Sequence, residues 1–194
     1  MTRFDSAALA AAVTFCVSAG AAQAAAVCSS PVNLVVPATG EGLYVNFVTG
    51  GSGEAESQVP GFDLDIYAQQ LSNPAGQLRF YWGASTTGGA GGATAGDTYV
   101  VLAPGDVVGT NRLFSRAGAN GNTTAWQAGV TGFLGVRFKN EGTGVINYGW
   151  VKLATTAPLG FPATIVEWCY DDTGGPIATD LSGDIFTDGF EAAE

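Results

Sequence analysis

Phe62-Asp63-Leu64-Asp65-Ile66-Tyr67 alternates apolar and polar side chains, and the same two-residue period returns in short runs along most of the chain. A period of two puts every second side chain on one face, which a strand can bury and a helix cannot. Leu78-Arg79-Phe80-Tyr81-Trp82 sets Leu78, Phe80 and Trp82 together in the same way. Further runs lie at 43–48, 98–102, 132–139, 145–155 and 164–170, with weaker ones at 32–36 and 112–115. Asn140-Glu141-Gly142-Thr143-Gly144, between two of the longest runs, is a hairpin signal. No long stripe of period 3.6 interrupts the series. Short strands separated by Gly, Pro and Asn turns predict an all-β protein. The expected fold is an antiparallel, jelly-roll-like β-sandwich of about eight to ten strands, occupying residues 25–179.

Composition narrows the functions such a sandwich could have. At 194 residues the chain suits one domain. Only 12% of residues are charged, about half the usual ~25%, which excludes a charged helical bundle or coiled coil. The net charge of −10 argues against nucleic-acid binding, which requires a basic surface. The chain contains no histidine, so Ser-His, Cys-His and His-ligated metal mechanisms are closed to it. No cofactor is expected.

Residues 1–24 read as a secretory signal peptide. Arg3 charges the start, although Asp5 cancels it. Residues 6–19 are mostly apolar, and Ala22-Gln23-Ala24 is the small-x-small pattern preceding cleavage after Ala24, with a second site after Ala26. The apolar stretch is shorter than the roughly 20 residues of a permanent membrane span, so none is expected; a buried N-terminal helix is the competing reading. Cleavage removes Cys16 and leaves Cys28 and Cys169. Two cysteines in an oxidising compartment pair; two free buried thiols are the alternative. Val27, rather than a small residue, precedes Cys28, which argues against lipidation there.

Two small-residue stretches, 83–96 and 117–124, read as mobile loops. The first lacks the Gly-Lys-Ser/Thr ending of a phosphate loop. From Asp171 onward there are seven acidic residues and no basic one. Residues 180–194 read as an acidic, poorly ordered tail. Asp63 and Asp65 either converge on a calcium ion or lie on a solvent-facing strand face, the commoner case. The tail residues Asp180, Asp184 and Asp188 lack the two-residue steps of a calcium loop. Glu167, between Val166 and Trp168, shares a face with Ile165 and Cys169; were that face interior, burial would raise its pKa and suit a carboxylate glycosidase. A surface position is the competing reading. Trp82, Trp126, Trp150 and Trp168 offer either core packing or a sugar platform, with core expected for Trp82 and Trp168. Tyr148, Trp150 and Lys152 form a mixed aromatic and basic face, the expected ligand face.

Gly42-Leu43-Tyr44-Val45-Asn46-Phe47-Val48-Thr49-Gly50, Pro60-Gly61-Phe62-Asp63-Leu64-Asp65-Ile66-Tyr67, Phe133-Leu134-Gly135-Val136-Arg137-Phe138, Tyr148-Gly149-Trp150-Val151-Lys152-Leu153 and Ile165-Val166-Glu167-Trp168-Cys169-Tyr170-Asp171 together resemble the bodies of secreted proteobacterial β proteins, including PEP-CTERM proteins. The resemblance covers roughly residues 42–177 and implies a surface or extracellular sandwich with no assigned catalytic residues. It does not extend to the Pro-Glu-Pro motif, apolar helix and basic cluster that end PEP-CTERM proteins. Instead Ile185-Phe186-Thr187-Asp188-Gly189-Phe190-Glu191 resembles an IFxDGFE ending and implies a sorting or secretion tag. The expected function is therefore that of an exported, non-enzymatic, cell-surface or extracellular protein of unknown specific role, with the periplasm as a further location and an unknown partner for which glycan and surface matrix are the candidates. A lectin-like glycan-binding module is the alternative, and a carboxylate glycosidase a weaker one.

Overall fold

The computed structural model describes residues 26–71, 73–83 and 90–180. Fourteen strands run through them: β1 (Ala26–Cys28), β2 (Leu34–Val36), β3 (Leu43–Val45), β4 (Ser52–Gly53), β5 (Leu64–Gln69), β6 (Gln77–Trp82), β7 (Gly91–Ala95), β8 (Thr98–Tyr99), β9 (Val107–Val108), β10 (Leu113–Ser115), β11 (Thr131–Lys139), β12 (Ile146–Ala154), β13 (Ala163–Asp171) and β14 (Ile177–Ala178). One short helix, α1 (Thr124–Gln127), lies among them. The strands outnumber the expected eight to ten because several edge strands are only two or three residues long. Among the described residues no helix is long and apolar enough to cross a membrane.

All pairings between these strands are antiparallel. The larger sheet runs β1-β13-β12-β11-β7-β10, with β2 also on β13 and β8 on β7. The smaller runs β4-β3-β5-β6, and β14 and β9 form a separate ribbon. The two main sheets pack face to face as a sandwich. Leu64 and Ile66 of β5 and Leu78, Phe80 and Trp82 of β6 meet Leu134, Val136 and Phe138 of β11 and Val151 and Leu153 of β12 in one buried cluster. Each such side chain contributes about 1.5–3 kcal/mol by leaving water. Trp168 Nε1 donates to the Phe47 carbonyl at 3.1 Å and ties the sheets together.

The larger sheet buries part of its second face as well. Leu102, Val108, Phe133, Trp150, Cys169 and Ile177 form a separate cluster there, with the β9–β14 ribbon contributing Val108 and Ile177. A bulge in β13 decides which residues reach it. Lys152 pairs with Glu167 but Leu153 pairs with Ile165, so Val166 has no opposite number. The extra residue reverses the alternation. Ile165 points into the sandwich, and so do Trp168 and Tyr170, while Cys169 turns to the other side.

The stretch expected as a mobile loop at 83–96 holds β7, which pairs with both β11 and β10; residues 84–89 lie outside the described residues. Its glycines are there for close approach. A Cβ on Gly92 would sit 2.6 Å from Trp82 Cζ2 and 2.8 Å from Tyr99 Cε1. Gly92→Ala is therefore expected to destabilise the domain by about 1–3 kcal/mol through overpacking. A thermal-unfolding midpoint equal to wild type would contradict that role. The second expected loop, 117–124, is likewise packed. Thr123 is fully buried, donates to the Leu78 carbonyl at 2.6 Å and accepts from Arg79 Nη1 at 2.7 Å.

Candidate functional site

Register in the β11–β12 hairpin places the expected ligand face. Phe133 faces Lys152, Gly135 faces Trp150 and Arg137 faces Tyr148. Trp150 is not open to a ligand, which corrects the expectation for this position. It is 3% exposed, its Nε1 donates to the Ala178 carbonyl of β14 at 2.9 Å, and the Phe133 ring meets it edge-on at 5.0 Å. The alternation that groups Trp150 with Tyr148 and Lys152 gives no sign that a ribbon covers it. Trp82, Trp126 and Trp168 are also buried, so no tryptophan platform exists. Lys152 Nζ lies 3.2 Å from Glu167 Oε1 and 5.6 Å from the centre of the Phe133 ring. Glu167 consequently sits opposite a lysine at a half-buried position; the bulge removes it from the face of Ile165.

What stays accessible on this face is Tyr148 with two neighbours absent from the expected set. Phe114 of β10 lies 5.8 Å from Tyr148, ring centre to ring centre, and the Arg137 guanidinium lies 5.2 Å from the centre of the Phe114 ring. All three side chains are half-buried. A sheet brings them together because β7 lies between β11 and β10, and its small residues Gly91 and Ala93, paired with Arg137 and Phe114, leave room above the sheet for the two larger side chains to meet.

Asp63 and Asp65 are the second cluster. Expected on a solvent-facing strand face, they are 3% and 2% exposed. The segment between β4 and β5 folds back over the outer face of the smaller sheet, where Val59 and Phe62 pack on Tyr44. The Phe62 ring meets Tyr44 edge-on at 4.8 Å. Burial pushes the Asp63 carboxyl up to about 8, against a Phe47 amide that donates to its Oδ2 at 2.8 Å. Burial also pushes Asp65 up to about 8, aided by the charges of Glu41 and Glu56 and opposed by the Leu43 amide. Asp65 Oδ1 is buried without a hydrogen-bond partner. Both carboxyls are therefore largely protonated at neutral pH. Among the described residues no three His, Cys, Asp or Glu side chains converge as metal ligands.

Two surface hollows flank these features. One of about 290 Å³ lies under the covering segment, lined by Glu56, Ser57, Val59, Pro60, Gly61 and Phe62. The other, of about 440 Å³, has Leu102, Pro104 and Phe133 along its walls and Lys152 and Asp180 as its charged groups. Neither is lined by Asp63 or Asp65.

Cys28 and Cys169 form a disulfide. They are directly opposite one another in the β1–β13 pair. The cleavage residue Ala24 and the tail residues Ile185, Phe186, Asp188, Gly189, Phe190 and Glu191 lie outside the described residues. No family model, curated protein or solved structure matches the chain.

Proposed function

We propose that this is an exported β-sandwich protein that works at the cell surface or outside the cell, by binding rather than by catalysis. The observation that carries the reading is the Cys28–Cys169 disulfide, since such bonds persist in oxidising compartments and are rare in the cytosol. The apolar stretch at 6–19 followed by Ala22-Gln23-Ala24 supports the same route. A binding role is supported by the lack of histidine and by the burial of Asp63 and Asp65, the most perturbed carboxyls among the described residues, which line neither hollow described above. The 185–191 segment adds a sorting or secretion tag to this reading.

Cell fractionation with intact-mass measurement tests it. The expected product lies outside the cytoplasm, begins at Ala25 or Val27, and takes up two alkyl groups only after reduction. A cytoplasmic chain retaining Met1 with all three thiols free would overturn the reading. In the same experiment, a chain ending at Thr179 is expected to be mislocalised; unchanged location would remove the tag.

A further inference from the structure

Arg137 is unusual among the basic residues. Arg112 pairs with Asp106 and Lys152 with Glu167, Arg116 donates to the Gly83 carbonyl, and Arg79 is held by Gln69, Gln77 and Thr123. Among the described residues Arg137 has no ion pair, and its guanidinium lies over the Phe114 ring. Its Nε is buried without a partner, whereas its terminal nitrogens are not among the sealed groups. The stem is thus packed against the aromatic residue and the two-pronged end is not sealed. A guanidinium held this way loses little freedom when a carboxylate docks against it, and the paired N–H groups match two carboxylate oxygens.

The surroundings narrow the ligand. Tyr148, directly across the β11–β12 pair, packs on Phe114 and adds a second aromatic ring with a hydroxyl to the same face. Lys139 lies two residues further along the same face of β11, opposite Ile146, and is also without an ion pair among the described residues. Asp171, at the end of β13, is buried and its Oδ1 already accepts from Thr173 and Gly175. The patch is therefore a small positive spot on a protein of net charge −10. Long polyanions are repelled by the rest of such a molecule, while one carboxylate carried on a ring is not. A sugar ring supplies C–H groups for the aromatic faces and hydroxyls for Tyr148.

We infer that Phe114, Arg137 and Tyr148 form a binding site for a carboxylated sugar, a hexuronate unit of a short oligosaccharide, with Arg137 holding the carboxylate and Tyr148 the ring. The site lies on an open sheet face and needs no cleft. It goes beyond the export reading and does not depend on it, because purified protein suffices for the test.

Titration with trigalacturonate, followed by calorimetry and by amide chemical shifts, tests the site. Saturable binding is expected, with shifts centred on Phe114, Arg137 and Tyr148. Methyl esterification of the probe and Arg137→Gln should each weaken it at least about tenfold. Arg137→Lys should fall between, since it keeps the charge and loses the fork. Triglutamate should bind at least about tenfold more weakly than the sugar, because it has no ring for Tyr148. Absence of saturable binding, equal affinity for the ester or for triglutamate, or shifts centred elsewhere on the wild-type protein would overturn the assignment. The shift map needs no variant, so it decides the matter even if Arg137→Gln does not fold.

Discussion

Raising the pH from about 5 to about 8 is expected to destabilise this domain, with Asp65 and Asp63 each contributing on the order of 3 kcal/mol. Both carboxyls stand near 8 in the folded protein against 3.8 for an ordinary aspartate. Between those values the folded state holds protons that the unfolded state has released. Stability is therefore fully present below about pH 4, falls as the pH rises, and levels off above about 8. This is the reverse of the usual acid denaturation, in which paired carboxylates favour the folded state at higher pH. Asp65→Asn removes one of the two titrations. It is expected to raise the unfolding midpoint at about pH 8, leave it nearly unchanged at about pH 4, and flatten the pH profile by roughly half. The amide also replaces a group whose Oδ1 is buried without a partner, so ionisation no longer leaves a bare charge there. Urea unfolding at a series of pH values measures this directly. A midpoint that rises from about pH 5 to about 8 in the wild type would show that these carboxyls ionise freely.

Loss of the disulfide is expected to have an effect of similar size. Cys28 and Cys169 are separated by 141 residues, and the loop-entropy account gives a bond of that span about 5 kcal/mol. Against a typical stability of about 5–15 kcal/mol, this is a large share. Replacing both cysteines with alanine should shift urea unfolding accordingly and leave the sandwich folded only under mild conditions. It should also release β1. That strand is three exposed residues long, and its only strand partner among the described residues is β13, so amide exchange at Ala26–Cys28 should become rapid. Unchanged unfolding in the double variant would mean that the native pairing of β1 and β13 needs no covalent closure.

Much of the architecture was legible because alternation is local. β5, β6, β11, β12 and β13 lie where the two-residue period puts them, and the Asn140–Gly144 turn joins its strands as its residues require. The failures have one cause, the arrival of distant chain. Asp63 and Asp65 look solvent-facing until the segment carrying Val59 and Phe62 covers them. Trp150 looks accessible until β14 crosses it. Glu167 loses Ile165 as a neighbour to a single extra residue at Val166, and nothing in the strand's composition announces that bulge. β7 was missed because glycine and alanine carry little strand preference, while its reason for being small is the rings of Trp82 and Tyr99. Arg137 could have been found. Counting back from the hairpin turn sets it opposite Tyr148, but Phe114 comes from an edge strand that no local pattern ties to them.

The first described residues of the chain also settle when the fold can finish. β1 and β2 both lie along the outer edge of β13, so this sheet joins one end of the domain to the other. A ribosome releases the chain from its N-terminus, and residues 26–36 must wait for nearly all of the rest before their partner exists. Contact order this high slows folding, and until β13 is made the larger sheet has an unfinished margin. On the export route proposed above, late closure keeps the polypeptide extended long enough to be moved.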